Sequence, residues 1–373
     1  MKILIALNHP AHYFLFKYIL SGFRKNGYEV DIVIREKDIL EKILKSEGQA
    51  YIKINEKKKR NKNAFSVISK GILELVTQDI NLYRHVKKIN PDFLLGTDIA
   101  ITHIGKLKRI PSFVFNEDDF EINKLFCKAS YSFADYIIAP EYTSVGSFKE
   151  KKIAYNGIQK MAYLNPKYFK PDIGILEELN LKKEAVFFII RLVSLTSGHD
   201  IEGKHIGIDE VLLSRLITLL ETKGRVFITS EDVLSKDFEK YHVRIAPNKM
   251  HDLMYFASLF IGDSQSMCAE AGILGTPFIR FNDFVGKIEY LNDLENNYNL
   301  GWGVKTNEPE RIFSIINELF QIPNFKNRWQ EKKDKLFREK IDLTAFIIWL
   351  IENYPESAKI MKEKPDETQA RFR

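Results

Sequence analysis

The sequence has little cysteine and no long apolar run. Its two cysteines, Cys127 and Cys268, lie far apart and outside any CxxC or Cys/His pattern, so neither a disulfide framework nor a structural zinc site is indicated. No stretch approaches the roughly 20 apolar residues that span a bilayer. The opening MKILIALNHP lacks the longer apolar core of a signal peptide and is typical of a first strand. We therefore expect a protein of the cytoplasm.

The glycine-rich nucleotide motifs are also missing. Neither G-x-G-x-x-G nor G-x-x-x-x-G-K-[ST] occurs, which argues against a dinucleotide bound in the usual manner and against a kinase or ATPase. The formal net charge of +6 suits an anionic ligand or a membrane surface but falls short of a dedicated nucleic-acid binder. We expect no nucleic-acid partner.

What is present is an alternation of short apolar runs with longer amphipathic segments, the βαβ rhythm of parallel sheets. A stretch with several prolines and glycines from Asn156 to Glu178 separates two series of strands. It predicts an N-terminal Rossmann-like domain at 1–165, a second at 166–340, and a last segment, 341–373, whose helix crosses back to the first domain and whose charged tail is frayed after Pro355. The predicted strands are Ile3–Leu7, Val30–Ile34, Phe93–Leu95, Phe113–Phe115, Tyr136–Ala139, Ala185–Ile190, Arg225–Ile228, Leu259–Ile261 and Pro277–Arg280.

Loops after strands are the candidate sites, because ligands of open parallel sheets sit outside the carboxyl ends of the strands. The loop after the first strand reads NHPAH and opens a helix whose N-terminus favours anions. Its histidines, His9 and His12, can include a general base tuned near neutral pH. Alternatively, His9 is a turn residue before Pro10, and His12 a helix-cap or core residue.

A second loop, Asn116–Glu121, is acidic. Asp118 and Asp119 suit the first turn of a helix, where carboxylates complement the dipole, although they could instead bind a metal. Glu117 stands at the strand end and is the candidate acid/base, or the group that holds a sugar hydroxyl.

A third loop begins at Arg191 and runs through Ser197 to His199. An arginine that leaves a buried strand end costs desolvation unless an anion meets it, and serine, threonine and glycine favour phosphate. His199, taken alone, is more typical of a surface residue.

A fourth loop, Gly262–Ala271, flows from a strand into a helix. Ser264 and Ser266 could offer hydroxyl and backbone N–H groups to a diphosphate, and Glu270 could accept from a ribose hydroxyl. The alternative is an N-cap serine on an ordinary helix.

A basic run, KINEKKKRNK, precedes a long helical pattern. It is either a solvated loop or a phosphate- or lipid-facing segment, because polybasic segments bind anionic lipid. The second alternative predicts a peripheral membrane contact through Lys57–Lys62 at the inner face of the membrane.

From Met1 to about Leu350 the chain resembles the two-domain GT-B architecture of many glycosyltransferases and of the non-hydrolysing UDP-N-acetylglucosamine 2-epimerases. It is most similar to a GT-B-like family defined as a domain of unknown function, in which an opening strand runs into HPAH, here His9–His12. The R…H-D and G-T-P stretches of that family correspond to Arg191…His199-Asp200 and Gly275-Thr276-Pro277. The resemblance implies an α/β fold of two Rossmann-like domains facing across a cleft and closing over a nucleotide-sugar.

Several epimerase features are altered. In the stretch that binds UDP in those enzymes, the first serine and the last glutamate correspond to Ser264 and Glu270. Their E-x-N-R pattern is similar to Glu121–Lys124 of this sequence. Their arginine after the first strand is missing, and the histidine that opens their second domain is replaced by Arg191. The pattern is therefore closer to a transferase than to an epimerase.

The resemblance implies a glycosyltransferase that uses a nucleotide-diphosphate sugar and a glycan or lipid-linked acceptor, with no metal and no separate cofactor. One alternative is an epimerase whose acid/base set is Glu117, Glu121 and Asp98; another is a non-catalytic sugar-nucleotide-binding protein. The predicted catalytic residues are His9, His12 and Glu117, of which His9 or Glu117 activates the acceptor; the predicted donor-binding residues are Arg191, Ser197, His199, Ser264, Ser266 and Glu270.

Overall fold

The computed structural model describes residues 1–35, 38–55, 64–193, 207–230 and 233–373. The chain divides into two compact units: Met1–Tyr163 together with Lys340–Arg373, and Leu164–Glu339. The sequence placed the boundaries at 165/166 and 340/341. No helix in the described ranges is long and apolar enough to cross a membrane. The basic run Lys57–Lys62 lies outside the described residues.

The first unit is built on a seven-stranded parallel sheet in the order β3-β2-β1-β4-β5-β6-β7. Strand β1 is buried from Ile3 to Leu7, and the order of the strands reverses on its two sides, which makes the loop after β1 a natural ligand position. The strands are β1 Lys2–Leu7, β2 Glu29–Arg35, β3 Ile52–Asn55, β4 Phe93–Gly96, β5 Ser112–Phe115, β6 Tyr136–Pro140 and β7 Lys152–Tyr155; the helices between them are α1 Pro10–Lys25, α2 Asp38–Ser46, α3 Ala64–Ile89, α4 Ile99–Lys108 and α5 Lys124–Tyr131, and α6 Met161–Leu164 follows β7.

The C-terminal segment completes the first unit with three helices, α14 Leu343–Glu352, α15 Glu356–Glu363 and α16 Pro365–Gln369. Helix α14 packs on α1, and Thr344 Oγ1 donates to the carbonyl of Ala162 at 2.7 Å. The prediction of a frayed tail is wrong. Met361 and Gln369 are buried, and Gln369 Oε1 accepts from the N–H of Asn156 at 2.6 Å, so buried contacts hold a segment that is rich in charged residues.

The second unit is built on a five-stranded parallel sheet in the order β12-β11-β10-β8-β9. Here the order reverses between β8 and β10. The elements are α7 Gly174–Glu178, β8 Phe187–Leu192, α8 Glu210–Glu221, β9 Arg225–Ser230, α9 Met250–Phe256, β10 Leu259–Gly262, α10 Gln265–Leu274, β11 Phe278–Phe281, α11 Glu289–Asn292, β12 Gly301–Val304, α12 Glu310–Gln321 and α13 Phe325–Glu339.

One row of residues crosses the carboxyl ends of these strands. In register, Thr229, Arg191, Gly262, Arg280 and Gly303 are neighbours from β9 to β12. Register neighbours in a parallel sheet point to the same face. The glycine between the two arginines therefore allows Arg191 to approach the strand closely.

A half-buried pair of His103 and Asp79 joins three helices of the first unit. His103 Nδ1 lies 2.9 Å from Asp79 Oδ2, and its Nε2 lies 3.1 Å from the carbonyl of Ala129. A carboxylate and a carbonyl only accept hydrogen bonds, so both ring nitrogens donate and the imidazolium is favoured. The hydrogen bond that His103 donates to Asp79 is the main cause that raises the pKa of His103 above its usual value.

This pair predicts a loss of stability at alkaline pH. Because the pKa of His103 is raised in the folded chain, the pair stabilises fully below the unfolded pKa of about 6.5, and the contribution fades as pH rises through the folded pKa. We expect the free energy of unfolding to be higher for the wild type than for His103→Gln, and the difference to be larger at pH 5.5 than at pH 9. Urea unfolding of both proteins across this range measures the difference, and a difference independent of pH would contradict the imidazolium assignment.

Candidate functional site

His9 caps the first helix. It directly precedes α1 in an extended conformation, and its Nδ1 accepts a hydrogen bond from the N–H of Ala11 at 3.2 Å. A ring nitrogen that accepts carries no proton, so the neutral ring of His9 is protonated at Nε2. The ring is exposed at the edge of the sheet.

His12 is also held through the Nδ1 of its ring. Its Nδ1 lies 3.3 Å from the N–H of Asn8 and in hydrogen-bonding contact with the hydroxyl of Thr97, which follows β4. The rings of His12 and His9 have centroids 5.8 Å apart. The structure thus brings together the two histidines that the sequence predicted, and adds Asn8 and Thr97.

Asp98 organises this edge of the sheet. It caps α4, with Oδ1 accepting from the N–H of Ala100 at 2.7 Å, and it is 1% exposed. Its Oδ2 accepts from Gln78 Nε2 at 2.6 Å and from the Asn8 side chain. Both carboxylate oxygens are therefore engaged, and the hydrogen bonds fix the loop that carries the histidines.

Glu117 follows β5 at the same edge and forms an ion pair with Lys160 through Oε1. The side chains of Glu117 and Lys160 are 14% and 4% exposed. Glu117 Oε2 and the hydroxyl of Tyr155 are buried without a hydrogen-bond partner among the described residues. Burial, followed by the charge of Glu117, keeps the pKa of Tyr155 well above its usual value, so this phenol stays protonated. The ammonium of Lys160 balances the charge of a largely buried carboxylate.

The other acids of this loop have structural contacts or face solvent. Asp119 Oδ1 accepts from the N–H of Ser144 at 2.7 Å, and the N–H of Asp118 donates to Asn116 Oδ1 at 3.2 Å. Glu121 is exposed. Among the residues that the structure describes, no group of three or more His, Cys, Asp or Glu could hold a metal ion.

In the second unit, Arg191 lies at the end of β8 and donates from Nη1 to Thr229 Oγ1 at 3.1 Å. Its neighbour in register is Gly262, where an added Cβ would lie 2.9 Å from the Cβ and the carbonyl oxygen of Arg191. Any side chain at Gly262 would thus displace Arg191. Asp263 Oδ1 accepts from the N–H of Val193 at 2.9 Å and ties the loops after β8 and β10 together.

Helix α10 begins beside Arg191. Ser264 is its N-cap, with Oγ accepting from the N–H of Met267 at 3.4 Å, and Ser266 is exposed in the first turn. Glu270 is 6% exposed, and its Oε1 lies 3.4 Å from Nε2 of His251 on α9. The N-terminus of a helix can bind an anion through its first-turn amides, and here a buried carboxylate lies further along the helix.

The sequence reasoning missed residues that support the predicted ones. Thr97 contacts His12, and Lys160 forms an ion pair with Glu117. Asp263 accepts a hydrogen bond from the loop after β8, and His251 contacts Glu270. Thr97 and Asp263 directly follow strands, so their positions could have indicated them, but nothing in the sequence indicates His251. Ser197 and His199 lie outside the described residues.

Solved structures share this fold. The UDP-GlcNAc 2-epimerase of Neisseria meningitidis bound to UDP-GlcNAc has a TM-score of 0.66 and 14% identity, covering 95% of this chain and 100% of that chain. The UDP-GlcNAc 2-epimerase of Methanocaldococcus jannaschii has a TM-score of 0.60 and 12% identity, covering 85% and 92%. A spinosyn rhamnosyltransferase complexed with spinosyn aglycone has a TM-score of 0.61 and 12% identity, covering 95% and 100%.

The protein is therefore of the α/β class with two Rossmann-like units, the fold of GT-B glycosyltransferases and of these epimerases. The chain belongs to the family described as "Protein of unknown function (DUF354)", whose model matches residues 1–296. This confirms the resemblance inferred from the sequence. No curated protein sequence matches the chain.

Proposed function

We propose that the protein is a glycosyltransferase that moves a sugar from a nucleotide-diphosphate sugar to a glycan or lipid-linked acceptor. The observation that carries the proposal is the arrangement of residues that follow β8 and β10, two neighbouring strands of the second sheet. Arg191 lies at the end of β8, and α10, which follows β10, contributes its N-terminus and the buried Glu270. A guanidinium and helix amides suit a diphosphate, and a fixed carboxylate suits the hydroxyls of a ribose.

In this proposal the second unit binds the donor. Arg191 and the first turn of α10, including Ser264 and Ser266, bind the diphosphate and stabilise it as a leaving group without a metal. Glu270 accepts from the ribose, with His251 holding its Oε1. Donor contacts by Ser197 and His199 remain sequence predictions.

The first unit supplies the base, and its hydrogen bonds favour Glu117 over His9. The Nδ1 of His9 accepts from the N–H of Ala11, so the neutral ring carries its proton on Nε2 and offers no lone pair there. Glu117 is a carboxylate with a charge partner. We propose that it takes the proton of the acceptor hydroxyl.

The state of Asp98 argues against an epimerase mechanism here. An epimerase of this type would use Asp98 with Glu117 and Glu121 to remove and return a proton. Asp98 is buried, with both oxygens accepting from Ala100, Gln78 and Asn8, and Glu121 is exposed. These contacts support Glu117, whose Oε2 has no hydrogen-bond partner among the described residues, as the acid/base group of the proposed transferase.

A ligand screen followed by a product assay tests the proposal. Nucleoside diphosphates that bind the native state raise its melting temperature, so a thermal-shift screen identifies the nucleotide. The matching nucleotide-sugars are then incubated with and without glycan and lipid-linked acceptors. Sugar transfer, or slow release of the nucleoside diphosphate to water, supports a transferase. Scrambling at C2 of the sugar without acceptor would show an epimerase, and binding alone a non-catalytic protein.

The membrane contact predicted for Lys57–Lys62 has its own test. We expect the protein to sediment with anionic lipid vesicles and less so after these basic residues are changed to glutamine, because each charge near the surface contributes about 1 kcal/mol. Equal sedimentation of both proteins would contradict this contact.

Replacing Glu270 should weaken nucleotide binding. We expect Glu270→Ala to lower the affinity for the nucleoside diphosphate by about 1–3 kcal/mol, because a buried hydrogen-bonded group loses its partner. Isothermal titration calorimetry measures the change. Glu121→Ala, which removes an exposed carboxylate of the first unit, is the matched control. An unchanged affinity in a folded Glu270→Ala protein would remove Glu270 from the donor site.

A further inference from the structure

Two hydrogen-bond donors converge on one nitrogen of His12. The backbone N–H of Asn8 lies 3.3 Å from Nδ1, and the hydroxyl of Thr97 contacts the same atom. A backbone N–H can only donate, so Nδ1 must be the unprotonated nitrogen. The hydroxyl of Thr97 can rotate to donate as well, and it then holds the same form of the ring.

The loop that carries Asn8 is itself fixed. Asp98 accepts from the side chain of Asn8 and caps α4 through the N–H of Ala100, so β1 and β4 are bridged directly behind His12. Thr97 is the residue before Asp98, and its position is set by the same cap. The N–H of Asn8 and the hydroxyl of Thr97 are therefore directed at Nδ1 by structure that does not depend on a ligand.

We infer that Thr97 is a positioning residue that locks His12 as a neutral imidazole with its proton on Nε2. In this form His12 donates a hydrogen bond to an oxygen and cannot take the proton of a hydroxyl. This inference rests on the proposed function, in which the oxygen belongs to the acceptor substrate. It is a carbonyl, carboxylate or phosphate oxygen, which accepts a hydrogen bond without donating one. The NHPAH loop then orients the acceptor, and the proton passes to Glu117.

The protonation of the ring can be measured without any substrate. In the ¹⁵N spectrum of the full-length protein labelled at histidine, at a pH where the ring is neutral, we expect the His12 pattern of a protonated Nε2 and an unprotonated Nδ1. The resonance is assigned by its loss in His12→Gln. Thr97→Ser should keep the pattern, whereas Thr97→Val, which removes the hydroxyl at similar volume and leaves Nδ1 with the 3.3 Å contact to the N–H of Asn8 alone, should populate the other tautomer in part. A wild-type ring protonated at Nδ1 would overturn the inference, and an unchanged pattern in Thr97→Val would remove Thr97 from it.

Activity separates a donor from a base. The side-chain amide of glutamine can reproduce an Nε2–H donor, but it cannot act as a base. We expect His12→Gln to keep transfer within roughly tenfold of the wild type, and His12→Ala to raise the acceptor KM by roughly 3- to 10-fold, the effect of one lost hydrogen bond. A loss on the order of 10²–10⁴-fold in kcat for both variants would make His12 the base and overturn the inference. Absence of transfer by the wild type would count against the proposed function, and the NMR experiment would still decide the tautomer.

Discussion

Glu117→Gln is expected to lower the rate of sugar transfer on the order of 10²–10⁴-fold, the usual effect of losing a general base. The amide keeps the size of the side chain but cannot take a proton. Since Glu117 lies in the first unit and the proposed nucleotide contacts lie in the second, the affinity for the nucleoside diphosphate should stay close to that of the wild type. Turnover with the acceptor found in the screen and calorimetric nucleotide affinity measure the two effects separately.

Two controls separate catalysis from folding and from the histidine alternative. Glu117→Gln leaves the buried ammonium of Lys160 without its partner, which destabilises the first unit. Glu117→Gln combined with Lys160→Met should regain stability but stay inactive. His9→Asn keeps an N-cap acceptor for α1 and should retain turnover. The base is His9 if His9→Asn lowers turnover on the order of 10²–10⁴-fold and Glu117→Gln stays active.

The largest loss of stability is expected from Glu295→Ala. Arg280 is fully buried and is held by Glu295 through two hydrogen bonds, from Nε at 2.8 Å and from Nη2 at 3.1 Å. Removing the carboxylate leaves a buried guanidinium without its counter-charge, which costs about 3–5 kcal/mol in comparable pairs. Urea unfolding should show a matching fall in the free energy of unfolding.

The matched control removes both charges. Arg280→Met with Glu295→Leu replaces the ion pair by apolar side chains and should cost clearly less than Glu295→Ala alone, because no uncompensated charge remains. Glu310→Ala breaks an exposed pair with Arg215 and should leave the free energy of unfolding almost unchanged. A loss in Glu295→Ala no larger than in Glu310→Ala would contradict the assigned strength of the buried pair.

The central strands could be predicted from the sequence, whereas the short outer ones could not. Strands such as β1 are buried on both faces and therefore appear as continuous apolar runs. Strands β3, β7 and β12 have four residues each and lie at sheet edges, where half-buried or exposed positions interrupt the buried pattern. Their existence depends on pairing with a neighbouring strand, which is a tertiary contact.

From the sequence, the candidate site could be predicted only where its residues directly follow a strand. Loops after β1, β5, β8 and β10 are recognisable because polar residues directly follow buried runs. Supporting residues are different: Lys160 reaches Glu117 across 43 positions, and His251 contacts Glu270 from another helix. Long-range pairs of this kind depend on the folded topology, and no local pattern encodes them.

The first unit is discontinuous in the chain, and this imposes an order on its synthesis. Its last helices, α14 to α16, are encoded after the whole of the second unit. When Tyr163 leaves the ribosome, the face of α1 that packs on α14 is still bare, and Gly22 has yet to meet Ile348. About 176 residues, from Leu164 to Glu339, must be translated before that surface is covered, which takes on the order of 10–35 seconds at common elongation rates. During this interval the nascent chain exposes an apolar surface that a chaperone can bind.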